Sequence, residues 1–459
     1  MINDTLFAEI SSVLKGRLTR SKSELDLHGR SETWFAPAPP NAVAYPETTQ
    51  EVAAMVKLCH AHDIPVIGYG AGTSLEGQTS AIRGGITVDF TRMNSVISVN
   101  AEDMDAVVGP GVTREQLNIE LRATGLMFPV DPGANASIGG MAMTRASGTT
   151  AVRYGTMRDN VLGVTAVLAD GTVIETGSRA RKSSTGYDLT GLLVGSEGTL
   201  ALVTELRLRL HGQPEAVSAA TCAFDDIRTA VAAVIDTIQI GLPIARIEFL
   251  DSESVRAVNQ YAGADFPTKP HLFVEFHGSQ SGVAAQVKTF GEIVSDFGAT
   301  GFEFATKPED RTALWAMRHN AFYACLALKK GCTSVVTDIC VPISRLADAV
   351  EETAADIAAS SIAGPILGHV GDGNFHAILL IDPDSQSDLA QAKELSRKMA
   401  VRALEMGGTV SGEHGIGMGK TGYMAAEHGA AWDVMGALKD ALDPKNLMNP
   451  GKLVPPRDS

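Results

Sequence analysis

Apolar residues follow two different patterns along the chain, and the change between them falls near residue 214. Before it, short apolar runs alternate with glycine-rich turns, which predicts short strands, one hairpin and two amphipathic helices. The strands are predicted at 64–68, 85–90, 96–99 and 106–108, the hairpin at 161–176, and the helices at 48–62 and 113–123. The segment His211-Gly212-Gln213-Pro214 interrupts the pattern, so the first domain boundary is placed at residue 215.

From residue 216 onward, strand-like and helix-like segments alternate. This alternation predicts an antiparallel sheet with helices on one face. The strands are predicted at 218–224, 245–250, 271–276 and 337–341, and the helices at 226–240, 283–297 and 308–329.

The composition limits the class of protein and its partners. The chain has 459 residues, of which 44% are hydrophobic and 20% charged, as in soluble globular proteins of two or three domains. A net charge of −15 argues against nucleic acid and against anionic lipid. No apolar run approaches the ~18 residues that span a bilayer, so no transmembrane segment is predicted. Five cysteines without a C-x-x-C motif, and a start without leader features, predict a cytoplasmic protein, with peripheral binding at the inner face of the membrane left open.

A glycine-rich loop at residues 68–77 directly follows a predicted strand. Its glycines allow backbone N–H groups to face an anion, and Thr73 and Ser74 add hydroxyl donors. A Rossmann site, with Asp89 as the ribose-binding acid, is the alternative. We reject it because residues 75–83 are too few for a helical crossover. The loop is predicted to bind phosphates without such a helix, and the small residues that dominate 129–160 allow a large flat ligand to lie on the backbone.

Two glycine-flanked segments near the C-terminus carry candidate metal ligands. The turn Gly371-Asp372-Gly373-Asn374 predicts a hairpin that places His369 directly opposite His376, close enough for both rings to reach one ion. Glu413, from the second segment, completes a two-histidine, one-carboxylate site of the kind that a catalytic divalent metal needs. The alternative is a turn with two structural histidines.

Arg318 is predicted to lie on the apolar stripe of the helix at 308–329, where a cation needs a partner. One interpretation is a bidentate clamp on a substrate carboxylate. The other is snorkelling or an internal salt bridge.

These motifs resemble the vanillyl-alcohol oxidase / p-cresol methylhydroxylase flavoprotein family, in its branch of D-2-hydroxyacid dehydrogenases. The resemblance extends from Pro65 to Lys452, over nearly the whole chain. Besides the glycine loop and both histidine segments, it is carried by Val130-Asp131-Pro132-Gly133, residues 151–160 and 181–189, Gly195-Ser196-Glu197-Gly198, residues 314–321 and 337–342, and Asn449-Pro450-Gly451-Lys452.

The resemblance implies an α+β fold in three parts. An FAD-binding domain of two subdomains, of the p-cresol methylhydroxylase type, is expected at 1–215, an α+β cap with the metal site at 216–420, and a segment that returns to the flavin at 421–459. Some relatives attach FAD through a histidine in the glycine loop, but this chain has none between His62 and His211, so we expect non-covalent FAD. The residues expected to hold FAD are Gly68, Gly70, Ala71, Gly72, Thr73, Ser74, Pro132, Gly133, Ser137, Gly139, Gly140, Thr144, Ser147, Gly148, Tyr154, Gly155, Glu197, Gly198 and Asn449.

In the implied active site, Arg318 holds the substrate carboxylate and Asn374 hydrogen-bonds the substrate oxygens. A Zn²⁺ or Mn²⁺ ion on His369, His376 and Glu413 binds the α-hydroxyl, although such ligands also admit Fe²⁺. His414 is expected to accept the hydroxyl proton, and a role as fourth metal ligand is the alternative.

The expected reaction is the oxidation of a small D-2-hydroxyacid. D-lactate is the first candidate, followed by D-2-hydroxyglutarate and glycolate, because a dicarboxylate needs a second cation and Phe322 and Tyr323 beyond Arg318 do not provide one. Electrons are expected to pass to a quinone, a cytochrome or an electron-transfer flavoprotein. A homodimer is the expected assembly if the chain associates with itself.

Three alternatives belong to other classes. A zinc hydrolase does not need the glycine-rich cradle, and a metal-storage module leaves His414 unexplained. A non-redox flavin transferase of the alkylglycerone-phosphate synthase type does not explain Arg318 together with the two histidines.

Overall fold

The computed structural model describes residues 2–31 and 33–455, which form two compact units. The first unit comprises the chain up to Ser147, Gly155–Gln213 and the chain from Glu413 onward. The second unit comprises Gly148–Tyr154 and Pro214–Gly412. The domain limits 1–215, 216–420 and 421–459 remain a proposal for how the chain divides into folding domains.

The strands and helices are numbered along the chain. The strands are β1 Leu18–Thr19, β2 Ala42–Ala44, β3 Val66–Tyr69, β4 Ile86–Asp89, β5 Val96–Asn100, β6 Asp105–Val108, β7 Leu126–Met127, β8 Val161–Leu168, β9 Val173–Gly177, β10 Ala201–Arg209, β11 His211–Gly212, β12 Ala216–Ala223, β13 Ile244–Leu250, β14 His271–Gly278, β15 Thr300–Ala305, β16 Thr333–Val336, β17 Ile339–Cys340, β18 Ile366–Gly368 and β19 Asn374–Ile381. The α-helices are α1 Asp4–Val13, α2 Lys22–His28, α3 Thr49–Ala61, α4 Arg114–Glu120, α5 Ile138–Thr144, α6 Ala151–Tyr154, α7 Met157–Asn160, α8 Leu189–Leu193, α9 Ile227–Gln239, α10 Ser252–Ala262, α11 Gln280–Asp296, α12 Pro308–His319, α13 Ala321–Ala327, α14 Leu346–Ala358, α15 Gln386–Glu405, α16 Met424–His428 and α17 Ala430–Leu442.

The first unit contains two larger sheets with separate cores. One has the order β1-β2-β4-β3, and α1 and α3 bury Ile10 and Met55 against it. Helix α3 begins where the Thr48 hydroxyl accepts from the Glu51 amide. The other sheet is antiparallel, with the order β5-β6-β10-β8-β9. Its β8–β9 pair confirms the hairpin predicted at 161–176.

The glycine loop of the first unit connects two parallel strands without a helix. β3 and β4 pair in parallel, so the length argument used to exclude a parallel connection was wrong. The chain crosses through residues 70–85, which form turns and irregular backbone only. The prediction that no Rossmann helix follows the loop was confirmed. Asp89 is buried and bonds His28 Nε2 at 2.8 Å, so it has a partner within the fold.

The second unit is built on an eight-stranded antiparallel sheet. Its order is β15-β12-β14-β13-β18-β19-β16, with β17 paired to β19. Helices cover both faces and not only one, because both faces carry buried apolar side chains. Phe276 of β14 packs on Phe290 of α11, whereas Phe273, three residues earlier on the opposite face, packs in the core that contains Leu314 of α12.

The helix predicted at 308–329 is two helices, α12 and α13, separated at Asn320. Arg318 therefore lies in the last turn of α12. Among residues 2–31 and 33–455, no helix is both long and apolar enough to cross a bilayer.

Candidate active site

One face of the sheet in the second unit carries a row of polar side chains. We call this row the polar wall, and its members are Arg246, Glu248, Glu275, His277, His369 and His376. It arises from the two-residue period of strands, since Arg246 and Glu248 are two apart on β13 and Glu275 and His277 are two apart on β14. Arg246 pairs with Glu275, so the two strands present their charges to the same face.

His369 and His376 come together, although not in the predicted register. Leu367, and not His369, lies opposite His376. The prediction of direct opposition was wrong because five residues, 369–373, connect β18 and β19, where a four-residue loop had been assumed. A shift of two residues keeps both side chains on one face. The ring centroids are 5.7 Å apart, with an interplanar angle of 83°.

The partners of the two imidazoles define which nitrogen carries the proton. His369 Nδ1 is 2.7 Å from Glu248 Oε1, and His376 Nδ1 is 2.9 Å from the Thr337 carbonyl oxygen. Both partners only accept, so each neutral ring is protonated at Nδ1 and has its lone pair on Nε2. Metal-ligating histidines usually donate their other N–H to a carboxylate or a carbonyl in this way. The donor set therefore fits a divalent metal ion.

Glu248 connects this histidine pair with Arg318. Its side chain is completely buried, and its second oxygen, Oε2, accepts from Arg318 Nη2 at 2.5 Å. Burial by itself raises the pKa of the Glu248 carboxyl. The charges and hydrogen bonds of His369 and Arg318 outweigh burial and lower that pKa below its ordinary value. Glu248 is therefore a carboxylate that links a candidate metal ligand to a buried cation.

Arg318 is only 7% exposed, and one of its nitrogens has no protein acceptor. The ion pair with Glu248 is the internal salt bridge that the sequence analysis gave as an alternative to the carboxylate clamp. The Arg318 Nε atom, however, is buried and has no hydrogen-bond partner among the described residues. A buried donor without an acceptor is costly, and a substrate carboxylate is a suitable acceptor.

Asn374 holds the hairpin that carries the histidines. Its amide nitrogen donates to Asp338 Oδ1 at 2.8 Å and to the Ile339 carbonyl at 2.7 Å, which uses both amide hydrogens. These two bonds hold the hairpin, and a hydrogen bond between Asn374 and the substrate oxygens stays a prediction. Gly412 lies against this amide, since a Cβ atom there would be 2.2 Å from Asn374 Nδ2.

A second network on the polar wall was not predicted from the sequence. The Tyr154 hydroxyl lies 2.8 Å from His277 Nδ1, and His277 Nε2 lies 2.7 Å from Glu275 Oε1. Burial raises the pKa of Tyr154. Arg246 Nε is 3.5 Å from the same Glu275 oxygen, and its guanidinium lies 4.9 Å from the centre of the Trp315 ring. The alternation of charged and apolar residues along β13 was the signal that could have found Arg246 and Glu248.

The first unit contains the predicted cofactor cradle. A Cβ atom on Gly70 would be 2.1 Å from the Ser137 hydroxyl, which caps α5, so the glycine loop passes directly beside the start of that helix. The Ser74 hydroxyl is buried and has no hydrogen-bond partner among the described residues. Backbone amides and an unsatisfied hydroxyl in one loop fit the phosphates of a dinucleotide.

Two of the predicted cofactor residues, Glu197 and Asn449, connect the cradle with the C-terminal segment of the first unit. The Glu197 carboxylate accepts from the Ile416 and Gly417 amides at 2.6 and 2.8 Å, and burial raises the pKa of Glu197 to about 7. The Asn449 amide donates to the carbonyl oxygens of Gln78 and Glu197. Their side chains therefore fix the chain around the cradle. Of the remaining predicted cofactor residues, Gly148 and Tyr154 belong to the second unit.

Glu413 and His414 belong to the first unit, in the loop that Glu197 holds. Glu413 Oε1 is 3.9 Å from His414 Nε2, and the His414 carbonyl accepts from Gln78 Nε2 at 2.7 Å. The backbone that carries the candidate base is thus anchored at His414 itself and again at Ile416 and Gly417.

The fold is that of the flavoproteins of the p-cresol methylhydroxylase type. p-Cresol methylhydroxylase with bound substrate superposes with a TM-score of 0.79 at 17% identity, covering 98% of this chain and 97% of that chain. The FAD binding domain family matches residues 40–177, and the family "FAD linked oxidases, C-terminal domain" matches residues 213–453. The enzyme is therefore an FAD-dependent oxidoreductase, as predicted.

Sequence relatives narrow the class further. The chain is 48% identical over 431 residues to the probable mitochondrial D-lactate dehydrogenase of Danio rerio, covering 93% of this chain and 87% of the relative. It is 41% identical over 454 residues to the mitochondrial D-lactate dehydrogenase [cytochrome] of Arabidopsis thaliana, covering 98% and 80%. The chain belongs to the family of FAD-dependent D-lactate dehydrogenases.

The same relatives correct the predicted location. The sequence predicted a cytoplasmic protein, but both of these relatives are mitochondrial proteins. The prediction was wrong because free cysteines indicate a reducing environment and do not identify one compartment.

Proposed function

We propose that this enzyme oxidises D-lactate to pyruvate and that it requires a divalent metal held by His369, His376 and Glu413. One observation carries the proposal: two histidines with centroids 5.7 Å apart, each with its Nδ1 beside an acceptor. The relatives named as D-lactate dehydrogenases support the choice of substrate. Glu413 follows Gly412, whose backbone lies against Asn374 in the hairpin that carries His376, so chain connectivity supports it as the third ligand.

In the proposed site, Arg318 binds the substrate carboxylate. Its guanidinium is planar: Nη2 donates to Glu248, and the buried Nε, which has no partner among the described residues, can donate to a substrate carboxylate. A planar fork of this kind orients a carboxylate as well as attracting it. The apolar side chains of Leu314 and Trp315 on the same helix exclude water from the buried side of the cation.

The remaining chemistry is a proton transfer and a hydride transfer. A divalent ion, when bound, lowers the pKa of a coordinated hydroxyl group. FAD, when bound, supplies the acceptor for the α-hydrogen. We assign His414 as the group that accepts the hydroxyl proton, because Gln78 and Glu197 hold its backbone and neighbouring amides. A role for His414 as a fourth metal ligand is the alternative.

A monocarboxylate is favoured over D-2-hydroxyglutarate. Arg246 is the additional cation on the polar wall, but Glu275 and the face of Trp315 accompany it. Its charge is thus balanced within the wall and does not serve as a second anchor for a carboxylate.

For the electron acceptor, we propose a cytochrome, on the basis of the Arabidopsis relative's name, over a quinone or an electron-transfer flavoprotein.

Anaerobic reduction of the flavin by each enantiomer of lactate tests the proposal. The bound flavin should be bleached by D-lactate and not by L-lactate. Chelation should abolish the bleaching, and added Mn²⁺ or Zn²⁺ should restore it. Full activity in a protein in which elemental analysis finds no bound metal would disprove the metal requirement. Bleaching by L-lactate and not by D-lactate would disprove D-lactate as the substrate.

A further inference from the structure

Glu248 is the one described carboxylate with one oxygen on a candidate metal ligand and the other on the candidate carboxylate clamp. Its Oε1 is 2.7 Å from His369 Nδ1 and its Oε2 is 2.5 Å from Arg318 Nη2. The side chain lies in the middle of β13, fully buried, so it cannot exchange these partners for water. A buried carboxylate with two donors in place is held in a single orientation.

Glu248 is the acceptor in both hydrogen bonds, and this determines where its two partners carry their protons. An ionised carboxylate only accepts, so both partners must donate to it. Arg318 donates in any state. His369 can donate from Nδ1 only if that nitrogen is protonated, which puts the lone pair of the neutral ring on Nε2. Glu248 thereby selects the tautomer of His369 that is able to ligate a metal through Nε2.

We infer that Glu248 is a positioning residue that fixes the ligating tautomer of His369 and the orientation of Arg318 with one carboxylate. The inference rests on the proposed function, since it assigns a metal to His369 and a substrate carboxylate to Arg318. It adds that retention of the metal depends on the number of acceptor oxygens of a residue that touches neither the metal nor the substrate.

Replacing the carboxylate of Glu248 by an amide separates its effect on the His369 tautomer from its effect on the orientation of Arg318. Glutamine has one acceptor oxygen and one NH₂ group. The oxygen should stay with Arg318, because a bond to a charged donor is the stronger of the two. The NH₂ group then faces His369 Nδ1, which must accept, and the proton of His369 moves to Nε2. The isosteric change Glu248→Gln should therefore harm metal binding more than carboxylate binding.

The experiment measures two ligands on FAD-loaded enzyme that has been stripped of metal. Mn²⁺ affinity is measured by electron paramagnetic resonance. The affinity for propionate, a carboxylate without the α-hydroxyl, is measured by its perturbation of the flavin spectrum. Loss of an outer-shell partner typically costs about 10–100-fold in metal affinity. We expect Glu248→Gln to weaken Mn²⁺ binding by that factor while propionate affinity changes less than about 3-fold.

Glu248→Asp distinguishes a role of Glu248 in positioning His369 from a role in filling space in the core. Aspartate is shorter but keeps two acceptor oxygens, so it preserves the tautomer and should retain more Mn²⁺ affinity than glutamine. A purely structural role predicts the opposite order, because glutamine fills the same space. Asp251→Asn is the matched control, a buried carboxylate directly after β13 that lies outside the polar wall and accepts from the Ser254 amide. It should leave Mn²⁺ affinity within about 3-fold.

Failure of the inference is distinct from failure of the proposed function. If His369→Ala loses Mn²⁺ while Glu248→Gln binds it like wild type, Glu248 has no positioning role and the metal site stands. If Glu248→Gln does not fold, retention of Mn²⁺ affinity by Glu248→Asp supports the inference, and loss of affinity larger than that caused by His369→Ala overturns it. If His369→Ala binds Mn²⁺ like wild type, the metal site itself is wrong and the inference falls with it.

Discussion

The two units form their candidate sites from different chemical groups: backbone in the first unit and side chains in the second. In the first unit, the cradle is made of backbone: glycines approach other groups closely, and even the buried Glu197 accepts from two backbone amides. In the second unit, the polar wall is made of side chains, which bond one another across strands. A backbone site depends on space and chain direction, whereas a side-chain site depends on donor and acceptor counts. Substitutions should therefore have different consequences in the two units.

The largest expected effect is the loss of a metal ligand in the second unit. His376→Ala should lower kcat with D-lactate at least ~1000-fold, because Lewis-acid stabilisation is worth several kcal/mol and about 1.4 kcal/mol corresponds to tenfold in rate. FAD content, measured from the visible spectrum, should stay at one per chain, since the cradle belongs to the first unit.

His271→Asn is the control for that substitution. His271 is also buried and also has its Nδ1 on a carbonyl, that of Lys269, but it is not part of the polar wall. It should keep the bound metal and turnover. If His376→Ala loses FAD as well as the metal, the two sites do not bind their ligands independently.

The next effect is that of the carboxylate clamp. Removing one partner of a buried charge pair costs about 2–5 kcal/mol, so Arg318→Ala should lower kcat/KM for D-lactate at least ~30-fold. Arg318→Lys should recover only part, because an ammonium group cannot form the planar fork. Arg256→Ala, which removes an exposed arginine of α10 paired with Glu253, is the control. Near wild-type kcat/KM in Arg318→Ala would leave Arg318 as the structural partner of Glu248 only.

In the first unit, Glu197 should give the stability a pH dependence. Burial raises the pKa of Glu197 from 4.5 to about 7, so the folded state binds its proton more tightly than the unfolded state. Its contribution to stability is fully present below pH 4.5 and is lost as the pH rises toward 7, by up to about 3 kcal/mol at 1.36 kcal/mol per pKa unit. Urea denaturation of wild type and Glu197→Gln at pH 5 and pH 7 measures the difference, which should disappear in the variant. An unchanged slope in the variant would assign the pH dependence to other groups.

The smallest effect is expected for steric filling of the cradle. Gly70→Ala places a Cβ atom 2.1 Å from the Ser137 hydroxyl, and overpacking of this kind costs about 1–3 kcal/mol. FAD binding, measured by flavin fluorescence during titration of the apoprotein, should weaken by ~5–150-fold, while Mn²⁺ affinity is unchanged. Gly212→Ala, where an added Cβ atom meets no heavy atom within 4 Å, should bind FAD like wild type. If both variants bind FAD equally, close approach at Gly70 does not shape the cradle.

The sequence alone determined the features that depend on local spacing. The glycine loop, the hairpin at 161–176 and the two histidines on one face follow from residue type and period. Even the wrong register of β18 and β19 preserved the histidine pair, because a two-residue shift does not change the face of a strand.

Only the tertiary structure decided which side chains share partners. Glu248 lies 70 residues before Arg318 and 121 residues before His369, and no spacing rule connects it with either of them. The Tyr154–His277–Glu275 chain joins α6 to β14 in the same way. Whether β3 and β4 pair in parallel was also decided by the fold, because the glycine loop itself belongs to the connection, and residues 70–85 are enough for the crossover of about a dozen residues that parallel strands need. Local periods fix the face on which a residue lies, and long-range strand pairing fixes which residues on that face meet.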